Sequence, residues 1–172
     1  MKWIEKIDVS DIIIRHIKTL SDASTKKATV GDYLLFLIFP ISTTLILITL
    51  NLYLNKDFVD ILCTSLSIFI GLFFNVIVLV FDLVSKTERN SVKNDLLKEL
   101  LINISFEIFI SVFCILFAIL SLADNNYIKL LSNSATYFLT SLFLTTLLMI
   151  LKRTFTVFIK EVENPNGVSS KF

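Results

Sequence analysis

The sequence predicts an all-α, polytopic membrane protein: four transmembrane helices preceded by an N-terminal cytosolic amphipathic helix. Three observations predict it. Apolar residues make up 55% of the 172-residue chain, more than a domain of this size can hide from water. Four long stretches are nearly free of charge. The basic residues fall almost entirely in alternate connections between those stretches.

The lead segment, "MKWIEKIDVSDIIIRHIKTL", repeats apolar residues at roughly helical spacing. Asp8 or Ser10 is placed to cap a helix ending near Leu20. Trp3, Ile7, Ile13 and Ile17 are the residues expected to touch a membrane surface or a partner protein; packing on the chain's own bundle is the third option. The polar run "SDASTKKATVGD" follows. Residues 1–28 are therefore expected as helix plus linker, and 29–155 as the bundle, with Thr29 or Asp32 starting the first span.

The spans follow from the charge-free runs. Asp32 and Lys56 enclose 23 uncharged residues, Asp60 and Asp82 enclose 21, and Lys129 and Lys152 enclose 22. Leu100 to Ala123 is 24 residues with one charge, Glu107. About 20 apolar residues cross about 30 Å of hydrocarbon as a helix. The expected spans are 34–54, 61–82, 102–123 and 132–152. Barrel strands would be shorter and would alternate. The first run is too long, and starts too late, for a cleaved signal.

Between spans two and three, the loop 85–100 carries Ser91 as an N-cap candidate with Asp95 in the first turn. A helix starting there is expected to enter span three unbroken. The tail, 156–172, is expected to be cytosolic, and its "KEVENPNGVSSKF" stretch, with Pro165 and Gly167, to be disordered.

Lys and Arg set the orientation. Fourteen of the 16 lie in the lead segment, the middle loop and the tail; only Lys56 and Lys129 lie in the other two loops. The positive-inside rule puts both termini and the middle loop in the cytosol. Tyr53, Tyr127 and Tyr137 then fall near the outer interface.

Span two carries Thr64, Ser67, Gly71, Asn75, Val78 and Asp82 at spacings of three and four, so they share a helix face. Span three repeats the pattern with Asn103, Glu107, Ser111, Cys114, Ala118 and Ser121. Small residues let helices approach, and polar ones hydrogen-bond across them. Ser67, Gly71, Asn75, Asp82, Asn103, Glu107 and Ser111 are the candidate packing or pore-lining residues. Asn75 should face a helix or water. A ring of Asn75 and Glu107 from several copies would be a polar constriction; a bundle core is the plainer alternative. Asp82, Glu107 and Lys152 or Arg153 can form a charged cluster.

Enzyme chemistry is not expected. The single His16 is read as a surface residue, and no second His supports a metal site. Three glycines make no phosphate loop, so no cofactor is expected. Cys63 and Cys114 are expected as free buried thiols. The basic lead segment is explained by topology, not by nucleic acid.

The stretch "DILCTSLSIFIGLFFNVIVLVFDLVSK" resembles small four-helix transmembrane proteins associated with bacterial anti-phage defence operons. The matching positions are Ser67, Gly71, Asn75 and Asp82. The resemblance implies an inner-membrane effector or anchor: a partner senses infection and the membrane protein damages or depolarises the bilayer. The expected function is an oligomeric inner (plasma) membrane effector activated by a cytosolic protein partner. A non-conducting anchor or scaffold, and a bacteriocin-type immunity protein, are the alternatives.

Overall fold

The computed structural model describes residues 9–20, 30–86 and 92–163. Among them the chain is helical and has no strand. Helix α1 is Ser10–Thr19 and α2 is Val30–Tyr33, which runs into a π-helical turn, Leu34–Ile38, and then α3, Phe39–Thr49. The long helices are α4, Lys56–Lys86, α5, Val92–Leu120, and α6, Asn126–Glu163. Trp3 and Ile7, the 21–28 linker, Ser91 and the tail from residue 164 lie outside the described residues.

Among the described residues, three helices are long and apolar enough to cross a membrane: Lys56–Ser85, Asn94–Leu120 and Asn126–Thr156. The first expected span is shorter, an apolar helix Leu34–Thr49. It stops because the chain turns at Asn51, whose φ of 54° is left-handed, a conformation Asn tolerates better than most residues. The Leu52 amide donates back to the Leu47 carbonyl at 3.1 Å. Residues 50–54, expected inside the span, instead form the connection. The fourth expected helix is longer than its span and reaches Glu163, so the first eight residues of the expected tail are helical.

Local chemistry sets the helix starts. Asn55 caps α4 by accepting the Phe58 amide at 2.8 Å. Asn125 caps α6 by accepting the Tyr127 and Ile128 amides at 3.0 and 3.3 Å. The π turn sits just before Pro40, and the Phe39 amide donates to Leu34 five residues back. A helical proline lacks its own donor and crowds the carbonyl four residues earlier; the wider turn gives it room.

Helix α5 is central. It packs against α4 and α6, α3 packs on the far side of α6, and α1 lies across α5. The α4 seam repeats every seven residues, Val59, Leu66, Phe73 and Val80, all buried, as in helices that coil around a neighbour. Leu97, Leu100, Ile104 and Ile110 of α5 and Phe143 and Ile150 of α6 complete the core. Phe69 meets Phe143 edge-on at 5.4 Å.

The connection before α4 is pinned to α6. The Leu54 amide donates to Asn133 Oδ1 at 2.8 Å, and the Tyr137 hydroxyl donates to the Leu52 carbonyl at 2.5 Å. Lys129 lies 5.9 Å from the Tyr53 ring centre, so Tyr53, Lys129 and Tyr137 gather at one end of the bundle.

Candidate functional site

The two polar stripes do not meet. Gly71 and Asn75 lie two residues either side of buried Phe73. At about 100° per residue this puts both on the opposite side of α4. Thr64, Ser67, Gly71, Asn75, Val78 and Asp82 are all exposed. Leu66, Phe73 and Val80 face α5 instead, because they bury more apolar area than the small residues would.

Gly71 has no steric reason within the chain. A Cβ built there meets no heavy atom within 4 Å. The Ser67 hydroxyl is satisfied by its own helix, donating to the Cys63 carbonyl at 2.8 Å. Among the described residues no side-chain hydrogen bond is formed by Asn75.

The α5 stripe is turned inward. Asn103, Glu107, Ser111, Cys114, Ala118 and Ser121 are each 0% exposed. Helix α6 also buries polar residues that the sequence reading passed over, Ser132, Asn133, Thr136, Ser141, Thr145 and Thr146. Much of this surface is satisfied locally. Ser111 donates to the Glu107 carbonyl at 2.8 Å and Thr136 to the Ser132 carbonyl at 2.8 Å. Cys114 Sγ lies 3.3 Å from the Thr140 hydroxyl, and both cysteines are free, Cys114 buried and Cys63 half-buried. On the outer side of α6, the Thr43 and Ser141 hydroxyls meet at 2.8 Å.

His16 corrects the sequence reading. It is buried at 3% exposure, because α1 turns its polar side to α5. His16 Nδ1 is 2.9 Å from Asn103 Oδ1. The ring stacks on Phe106 with centroids 3.7 Å apart and meets Phe36 edge-on. The Thr19 hydroxyl lies 2.6 Å from the same Asn103 oxygen. Burial, opposed by the Asn103 hydrogen bond and aided by nearby Arg153, holds the imidazole pKa below its ordinary value. Ile13 packs partly on the core, whereas Ile14 and Ile17 point away at 52% and 59% exposure.

The expected charged cluster has different members. Arg153 pairs with Glu99 at 3.1 Å and donates to the Thr19 carbonyl at 2.5 Å. Asp82 and Lys152 are at exposed positions. Glu107 is two turns from Glu99 along α5, and among the described residues neither of its carboxylate oxygens has a hydrogen-bond partner. Antiparallel register decides this: residue 153 of α6 reaches the level of 99, not 107.

Among the described residues, no three His, Cys, Asp or Glu side chains converge to hold a metal. Searches against protein-family models, curated proteins and solved structures found no match to this chain.

Proposed function

We propose that the protein is an oligomeric inner-membrane effector, of the anti-phage type that its second span resembles, which disrupts or depolarises the bilayer when a cytosolic partner engages it. The observation that carries this reading is the outward face of α4: Ser67, Gly71 and Asn75 are exposed, and a Cβ at Gly71 would meet nothing. Lipid tails do not drive helices together, so a small-and-polar face is useful where another helix approaches closely. An amide left in hydrocarbon costs roughly 2–7 kcal/mol. A second copy presenting the same face relieves that cost.

In this reading the apolar run at Leu34–Thr49 is the fourth crossing. Sixteen residues cover about 24 Å, and the bilayer thins locally to meet them. The basic residues keep both termini and the middle loop cytosolic. The N-terminal segment and the 85–100 loop receive the partner, while Ser67 and Asn75 line the contact between copies.

The test is membrane potential in a bacterial host expressing the chain, followed with a voltage-sensitive dye. Wild type is expected to depolarise cells, and Asn75→Leu, at equal membrane level, is not. Depolarisation that survives Asn75→Leu removes the α4 face from the conducting path. One observation favours a second reading, a non-conducting scaffold: Glu107 lies inside the subunit and cannot join an intersubunit ring. The scaffold predicts a silent wild type and loss of partner capture when residues 1–20 are deleted.

A further inference from the structure

Three side chains near one level of the α5–α6 interface are buried and unmatched. Among the described residues, both Glu107 oxygens, Asn103 Nδ2 and Thr146 Oγ1 have no hydrogen-bond partner. All three residues are 0% exposed. Register brings them together. Glu99 meets Arg153 at 3.1 Å, and Cys114 meets Thr140 at 3.3 Å. Between those two contacts, Glu107 falls at the level of Thr146, with Asn103 one turn away on the same face of α5.

Buried polar groups are rarely left unmatched, and an intramembrane carboxylate is among the costliest. The set consists of an amide donor, a hydroxyl that both donates and accepts, and a carboxylate. A hard cation would want oxygen acceptors alone. Water fits the mixture, since buried waters typically bridge about three such groups.

Helix α1 closes this level at the end that carries Arg153. Its two buried residues are polar, His16 and Thr19. They engage Asn103 Oδ1, and Arg153 holds the Thr19 carbonyl. Its most exposed isoleucines, Ile14 and Ile17, face away. The helix is fastened by these hydrogen bonds, by the His16–Phe106 stack and by partial packing of Ile12 and Ile13 on the core; the hydrogen bonds are the part whose net worth falls once water can replace them.

We propose that Glu107, Asn103 and Thr146 form an internal water-binding site, and that α1 is the lid that closes it against the aqueous phase. Undocking His16 and Thr19 from Asn103 opens it. The site belongs to the single subunit and stands whether or not copies assemble through α4.

The test is cysteine accessibility in nanodiscs. Thr146→Cys is placed in a Cys63→Ser, Cys114→Ser chain and exposed to a charged methanethiosulfonate. Slow labelling is expected with the lid intact. Labelling about tenfold or more faster is expected when His16→Ala and Thr19→Ala remove its hydrogen bonds, the size set by losing one to two buried bonds. Leu148→Cys, on the outward side of α6, should not respond. Equal rates at position 146 in both backgrounds would overturn the lid, and a parallel rise at 148 would replace it with general loosening. Should Thr146→Cys fail to fold, Ser111→Cys reports one turn from Glu107. No labelling at either position with the lid loosened would mean a dry interior and end the proposal.

Discussion

Replacing Gly71 by alanine separates two forces that the structure sets in opposite directions. Within one chain the methyl group enters open space, since no heavy atom lies within 4 Å of its position. Alanine is about 1 kcal/mol better than glycine in a helix interior. The isolated subunit should therefore be unharmed or slightly stabilised. Between copies the same methyl group is an obstruction. If Gly71 is where two α4 backbones approach, overpacking costs about 1–3 kcal/mol, which raises the dissociation constant about 5- to 150-fold. The assay is association in lipid vesicles across a dilution series, read by photobleaching counts of labelled chains, alongside unfolding in a denaturing detergent. The expected result is weaker association with equal or greater resistance to unfolding. Unchanged association would refute the assignment of Gly71 to an interface. Loss of subunit stability would refute the open space around it.

Three further outcomes follow from the buried polar contacts. Asn103→Leu removes the oxygen shared by His16 and Thr19, weakening α1 docking by about 2 kcal/mol; hydrogen exchange of α1 amides should rise about thirtyfold, while unfolding of the whole bundle changes less because an unmatched Nδ2 disappears too. Acid should also loosen α1. The released imidazole titrates near its ordinary 6.5 and the docked one below it, so docking is strongest above pH 6.5 and weakens as pH falls beneath it; His16→Gln should abolish that dependence in the same exchange measurement. Asn133→Leu strands the buried Leu54 amide and should lower bundle stability by about 1–3 kcal/mol, measured by detergent unfolding.

The sequence made the long helices legible because each contains a nearly charge-free run long enough to be unmistakable. It misjudged the first helix, where Asn51 and the hydrogen bonds of the connection, one to Asn133 and one from Tyr137, end the helix inside a charge-free stretch. Both polar stripes could be drawn from spacing alone. What spacing could not give was direction: a helix in lipid can bury either its large apolar face or its small polar one. Helix α4 buries the first, whereas α5, held between two neighbours, buries both. His16 was misplaced for a related reason. Isoleucines dominate the pattern of α1, yet the side that docks is the one whose hydrogen bonds match Asn103. Glu99 was overlooked as the partner of Arg153 because the pairing depends on the antiparallel register of α5 and α6.

The π turn at Leu34–Ile38 makes the chain tolerant of editing there. It holds one residue more than an α-helical turn needs. Removing a single residue from it should restore ordinary winding without disturbing α3, which keeps its Thr43 contact with Ser141. Because the wider turn already absorbs the extra residue within one revolution, everything upstream would keep nearly the same facing around the helix axis. Length in this one turn is thus free to change by one residue while the heading of the helix on either side, and the apolar packing below, are spared.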